Sequence, residues 1–170
     1  GIRGVQATWS ATAPLLKWTS NDPFSLRGLS PAWNQAVIDY VERHRIQLVI
    51  LAAVWSTYSP NPDFEQMLQA TVTKLTKLGV SVAIILDVPK FEGLTPRVIA
   101  MRAWQSKSTL DTTSPIEPHR LINRHCDEII KKVVDKSNKK AKRKNNYKML
   151  TKLFWFSARD VVPPLKGGLL

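Results

Sequence analysis

The pattern of apolar and polar residues predicts four regular elements in the first half of the chain. An apolar stripe at helical spacing follows Ser30 and Pro31, a favourable N-cap and first helical residue, and predicts an amphipathic helix. The continuous apolar run from Leu48 to Ala53 is typical of a parallel strand covered on both faces. A second helical stripe runs from Phe64 until Gly79, and a second apolar strand runs from Val80 to Leu86. The resulting order is helix, strand, helix, strand.

A strand, a helix and a second strand in succession form a βαβ unit, whose two strands lie parallel in one sheet. The fold class predicted for the chain is therefore α/β with a parallel sheet. Residues 1 to 29 show no periodicity and are interpreted as an irregular lead-in. From His119 onward, apolar pairs recur every four residues and predict another helix.

The positive charge of the chain is concentrated near its end. The net charge is +12 over 170 residues, and residues 131 to 152 hold ten basic side chains and one acidic one, a net charge of +9. Residues 1 to 130 carry 13 basic and 11 acidic side chains, a net charge of only +2. This change of composition predicts a domain over residues 1–136 and a basic tail of uncertain structure over residues 137–170.

Several classes of protein and site are disfavoured by the sequence. The longest nearly uncharged apolar run has eight residues, against the roughly 20 that a membrane-spanning helix needs, and no signal peptide is visible. The single cysteine, Cys126, cannot form an intrachain disulfide, and on an apolar helix face it is typical of a small core residue. His125 and Cys126 lack the spacing of a zinc site, so we expect no metal and no cofactor.

The carboxyl ends of the two predicted strands are the best place for a binding site. Ligands of open parallel sheets bind at this edge, where the loops are free of sheet packing. Hydroxyls, an indole and backbone N–H groups after the first strand could hold a reacting oxygen, and an acid follows the second strand. Two structural alternatives stay open: the aromatic rings cap the hydrophobic layer, and the acid caps its own loop. The candidate substrate-binding or oxyanion residues are Ala53, Trp55, Ser56, Tyr58, Asp87 and Pro89.

Certain stretches of the chain also match a known pattern. Residues 6–16 read Gln-Ala-Thr-Trp-Ser-Ala-Thr-Ala-Pro-Leu-Leu, the first strand is followed by Ala-Ala-x-Trp-x-x-Tyr, and the second is followed by Val-Pro-x-Phe. In this order, over residues 5 to 105, the chain resembles the SGNH-hydrolase-like domain fused to bacterial membrane acyltransferases of the acyltransferase 3, or O-antigen acetylase, type.

The resemblance implies a flavodoxin-like, three-layer α/β sandwich, here partial, that takes part in O-acetylation of lipopolysaccharide or another cell-envelope glycan. It implies a surface glycan as acyl acceptor, an acyl donor relayed by an integral-membrane acyltransferase domain, and a membrane-associated, extracytoplasmic or periplasmic location. The family uses a Ser nucleophile near Gly-Asp-Ser and an Asp-x-x-His pair.

This sequence departs from the family pattern at its catalytic motifs. It contains neither Gly-Asp-Ser nor Asp-x-x-His, since Ile116 and Ile122 stand three residues before His119 and His125. Trp55 stands where other SGNH enzymes place the Asn of an oxyanion motif. No residue is therefore assigned as catalytic, and we expect the chain to have no acyl-transfer activity alone.

The basic segment over residues 131–152 suggests an alternative function from another class. A lysine-rich cluster there could neutralise phosphates of a nucleic acid or another polyanion. A lysine run near a chain end is more often a solvated tail. The candidate polyanion contacts are Lys139, Lys140, Lys142, Arg143 and Lys144.

Overall fold

The computed structural model describes residues 4–87, 101, 104–105 and 116–143. After a short 3-10 helix at Arg27–Leu29, the regular elements in chain order are α1 (Ser30–Arg43), β1 (Leu48–Ala52), α2 (Trp55–Tyr58), α3 (Phe64–Lys77), β2 (Ser81–Ile85) and α4 (Ile116–Arg143). The predicted order of helix, strand, helix, strand is confirmed by α1, β1, α3 and β2. The short helix α2 was not predicted.

The two strands pair in parallel, as the βαβ pattern predicts. Leu48 lies opposite Ser81 at one end of the pair, and Ala52 lies opposite Ile85 at the other. Between α3 and β2 the chain turns at Gly79, whose φ of 79° is readily adopted by glycine. Because the strands are parallel, the segments that leave β1 and β2 begin at the same edge of the sheet.

In the part of the chain that the structure describes, one hydrophobic core forms on one face of this sheet. Leu51, Val82 and Ile84 point into it, and their neighbours along each strand point away. Apolar stripes of the helices complete it, which explains why the helical periodicity in the sequence is clear. Their fully buried members are Phe64, Leu68, Val72 and Leu75 of α3 and Cys126, Ile130 and Val133 of α4.

The opposite face of β1 is open to solvent. Leu48 is 53% exposed and Ile50 is 57% exposed, whereas the next residue, Leu51, is buried. The prediction of a strand covered on both faces is therefore wrong for the part of the chain that the structure describes. An unbroken apolar run permits a strand to be covered on both faces. Whether a second layer packs on it depends on the other elements of the fold.

The irregular lead-in forms part of the core. Ala13 and Leu15 are fully buried, and Asn34 Nδ2 of α1 donates to both of their carbonyl oxygens, at 3.0 and 2.7 Å. The Leu16 N–H donates to Thr71 Oγ1 of α3 at 2.8 Å. These bonds satisfy backbone groups that lie outside regular structure, so the segment is held against both helices.

Helix α4 extends beyond the predicted domain boundary. Ser137 lies on the helix and receives a hydrogen bond from Gln69 Nε2 of α3 at 3.1 Å. The helix is described as far as Arg143, and residues 144–170 lie outside the described residues, so the boundary at residue 136 stays a prediction. In the described part of the chain, no helix has the length and apolar character needed to cross a membrane.

Candidate functional site at the strand ends

Asp87 joins the carboxyl ends of the two strands. Its Oδ1 accepts a hydrogen bond from the Trp55 N–H at 2.5 Å, and its Oδ2 accepts one from the Ser56 N–H at 2.9 Å. The donors follow β1 and the acceptor follows β2. The structure thus brings together three of the predicted site residues, which are 31 and 32 positions apart in the chain.

The start of α2 explains why a carboxylate lies here. The first N–H groups of a helix have no acceptor within the helix, and Val54 at the N-cap has no side-chain oxygen. Asp87 supplies the missing acceptor from the neighbouring strand, with a charge that strengthens both bonds. Asp87 therefore caps the helix that follows the other strand. The loop after Asp87 lies outside the described residues, so the alternative that Asp87 caps its own loop stays open.

Trp55 anchors the same junction through its side chain. The residue is fully buried, and its indole Nε1–H donates to the carbonyl oxygen of Ile85 at 2.6 Å. Its ring lies 6.2 Å from that of Phe64, the first residue of α3. Trp55 therefore packs as part of the hydrophobic layer while it also ties the end of β1 to the end of β2.

The backbone donors predicted for an oxyanion are occupied in this arrangement. The N–H groups of Trp55 and Ser56 both point at the Asp87 carboxylate, so an oxygen of a substrate would have to replace it. The binding role of this edge stays a prediction, with its geometry now defined by the Asp87 contacts.

Tyr58 lies at the end of α2 against a residue that sequence reasoning missed. Its ring meets that of Trp18 edge to face, with the ring centroids 5.0 Å apart. Burial, followed by the negative charge of Asp22, raises the pKa of the Tyr58 hydroxyl above its ordinary value. Trp18 belongs to the aperiodic lead-in, where no sequence pattern distinguishes a buried residue from an exposed one.

Cys126 of α4 is close enough to this junction to be affected by the charge of Asp87. Burial raises the pKa of the Cys126 thiol to about 12, and the carboxylates of Asp127 and Asp87 add to the shift. A thiol with this pKa stays protonated at neutral pH and is a poor nucleophile. The interpretation of Cys126 as a core residue is confirmed.

A comparison with protein families identifies the fold to which this junction belongs. The model of the SGNH domain (fused to AT3 domains) matches residues 1–145. The chain belongs to this family. Neither a curated protein nor a solved structure gives a significant match. Membership associates the chain with acyltransferase function and with membrane proteins, because domains of this family are fused to AT3 domains.

The structure of this SGNH domain describes only some of the other candidate residues. Ala53 is half-buried directly after β1, and Pro89 lies outside the described residues. Among the candidate polyanion contacts, Lys139 and Lys140 are exposed on α4. Lys142 and Arg143 belong to the last described turn of that helix, but their side chains are outside the described set, as is the whole of Lys144.

Proposed function

We propose that this SGNH domain takes part in O-acyl transfer, chiefly acetyl transfer, to lipopolysaccharide or another glycan of the bacterial cell envelope. In this proposal an integral-membrane acyltransferase domain relays the acyl group, and the SGNH domain works on the periplasmic or extracytoplasmic side of the membrane. The glycan is the acceptor, and no cofactor is required of this chain.

The family match over residues 1–145 is the observation that carries the proposal. The geometry of the strand ends supports it. Ligands of parallel α/β sheets bind at this edge, and here two loops from different strands are held together by Asp87 and Trp55. A junction tied by these three partly buried hydrogen bonds can hold a bound group in a fixed position, which is the contribution that a positioning domain makes to transfer.

The chemical groups of these 170 residues favour positioning over catalysis. The sequence contains no Gly-Asp-Ser and no Asp-x-x-His, and the Cys126 thiol is buried and protonated. A general base must lie within about 3 Å of the proton that it removes. His125 is exposed on α4, and His44 is exposed and lies against Tyr40 with ring centroids 4.0 Å apart.

We expect the purified chain to hydrolyse p-nitrophenyl acetate no faster than buffer with an equal concentration of an unrelated protein. The reason is that the sequence supplies neither the nucleophile motif nor the base motif of the family. Release of p-nitrophenolate at neutral pH measures the rate. Turnover that is abolished by changing one serine of the chain to alanine would contradict this expectation.

The proposed function itself predicts a loss of glycan-bound ester when the gene is removed. Cells that produce the chain are compared with a deletion strain and with the same strain carrying the gene again. Acetate released from purified envelope glycan by mild alkali is then quantified. We expect the deletion to lower ester-bound acetate and the restored gene to return it. An unchanged ester content in the deletion strain would overturn the proposal.

A further inference from the structure

A groove runs along the solvent-facing side of α3, with α4 beside it. It has a volume of about 550 Å³. Most of its lining comes from α3, and Lys136 of α4 forms the other wall. The lining residues are Pro62, Glu65, Gln66, Gln69, Ala70, Thr73, Lys74, Lys77 and Lys136.

One hydrogen bond and one ion pair join α3 to α4 at the groove, and a second hydrogen bond lies within α3. Gln69 Nε2 donates to Ser137 Oγ at 3.1 Å and to Thr73 Oγ1 at 3.2 Å. Lys132 Nζ of α4 lies 2.8 Å from Glu65 Oε1 of α3. The groove is therefore a preformed surface with amides and hydroxyls along its length.

The charges in the groove are unbalanced. Glu65 is the only carboxylate among the described lining residues, and its charge is matched by Lys132. Among the described residues, none forms an ion pair with Lys74, Lys77 or Lys136. Three ammonium groups on one concave surface produce a local positive potential, which attracts anions and concentrates them there.

We infer that this groove binds an acidic stretch of a glycan. Carboxylates of the sugar would pair with Lys74, Lys77 and Lys136, and sugar hydroxyls would bond to the amide of Gln66 and the hydroxyl of Thr73. The inference rests on the proposed function, because it assigns the acceptor glycan to the acidic class. The groove would hold the chain of the acceptor while the strand-end junction holds the part that reacts.

The composition of the groove favours an acidic glycan over a nucleic acid. Single-stranded nucleic acids are bound by aromatic side chains on which bases stack, in addition to cations. No aromatic ring belongs to the described lining. The combination of lysines with amides and hydroxyls suits a ligand that carries both carboxylates and many hydroxyl groups.

The test measures binding of polygalacturonate to the full 170-residue chain by isothermal titration at low salt. The groove variant combines Lys74→Gln, Lys77→Gln and Lys136→Gln. A control variant with the same loss of charge combines Lys17→Gln, Arg27→Gln and Arg43→Gln, all exposed and outside the groove lining. Circular dichroism and thermal melts check that both variants fold as the parent does. Dextran serves as the neutral sugar, and poly(dT) serves as the nucleic acid.

We expect the groove variant to bind polygalacturonate at least tenfold more weakly than the parent, and the control variant to bind within about threefold of it. Binding should weaken as the salt concentration rises, because ions screen exposed charges. Dextran should show no measurable binding.

Equal losses in both variants would show that net charge alone drives binding, and no loss in either would exclude the groove; each result overturns the inference. Tighter binding of poly(dT) through the same three lysines would assign the groove to nucleic acid instead. No acyl donor is present in this titration, so its failure would leave the proposed transfer function standing. Conversely, an unchanged ester content in the deletion strain would leave a measured affinity for acidic sugar intact.

Discussion

Replacing Trp55 with alanine is expected to lower the free energy of unfolding by about 3–5 kcal/mol, the largest effect of any substitution considered. The side chain is fully buried, so its removal leaves a cavity at the junction of β1, α2 and α3. It also removes the donor to the Ile85 carbonyl, which is 2.6 Å from the indole nitrogen. Urea unfolding followed by circular dichroism measures the change.

The control for this prediction is Trp104→Ala. Trp104 is 81% exposed, so its loss should change the free energy of unfolding by less than about 0.5 kcal/mol. Trp55→Phe separates packing from hydrogen bonding, because it keeps most of the ring volume and removes the indole donor. It should lower the free energy of unfolding by about 1–3 kcal/mol, because the Ile85 carbonyl loses this donor. If Trp55→Ala were as mild as Trp104→Ala, the described packing of the junction would be wrong.

Replacing Asp87 with alanine is expected to lower the free energy of unfolding by about 2–3 kcal/mol, because hydrogen bonds to a charged group are stronger than neutral ones. Both N–H groups at the start of α2 would lose their acceptor, and Val54 offers no side-chain substitute. Asp87→Asn keeps one oxygen as acceptor and should lose less. The same urea experiment measures both variants.

Asp39→Ala is the matched control, since this carboxylate is exposed on α1 and accepts a hydrogen bond from Gln35 Nε2. Its loss should change the free energy of unfolding by no more than about 0.5 kcal/mol. Equal, small effects of Asp87→Ala and Asp39→Ala would mean that Asp87 does not hold the strand ends together.

The long elements could be predicted from the sequence because each repeats its pattern several times. The stripe of α3 from Phe64 to Leu75 and the apolar runs of the two strands are such cases, and together they determine the parallel α/β class. The candidate site could be predicted as an edge of the sheet for the same reason. Parallel strands place their carboxyl ends, and hence Trp55 and Asp87, on one side.

The contacts within the site could not be predicted from local patterns. Helix α2 has four residues, too few to show a helical period, so the unpaired N–H groups that Asp87 satisfies were not anticipated. The exposure of Ile50 depends on which layers surround β1, and an apolar run does not contain this information. The lysine groove arises from two helices that are distant in sequence, since Lys74 and Lys136 meet only after folding.

The most direct test of the account measures ester-bound acetate on the envelope glycan of the deletion strain carrying Asp87→Asn. A strain carrying Asp39→Asn serves as the control, and immunoblotting matches the amounts of the two chains. A small displacement of positioning groups can slow a transfer reaction by about 100-fold. The account predicts at least a tenfold lower ester content with Asp87→Asn at equal chain levels and full restoration with Asp39→Asn. Full restoration by Asp87→Asn would contradict the assignment of the strand-end junction as the functional site.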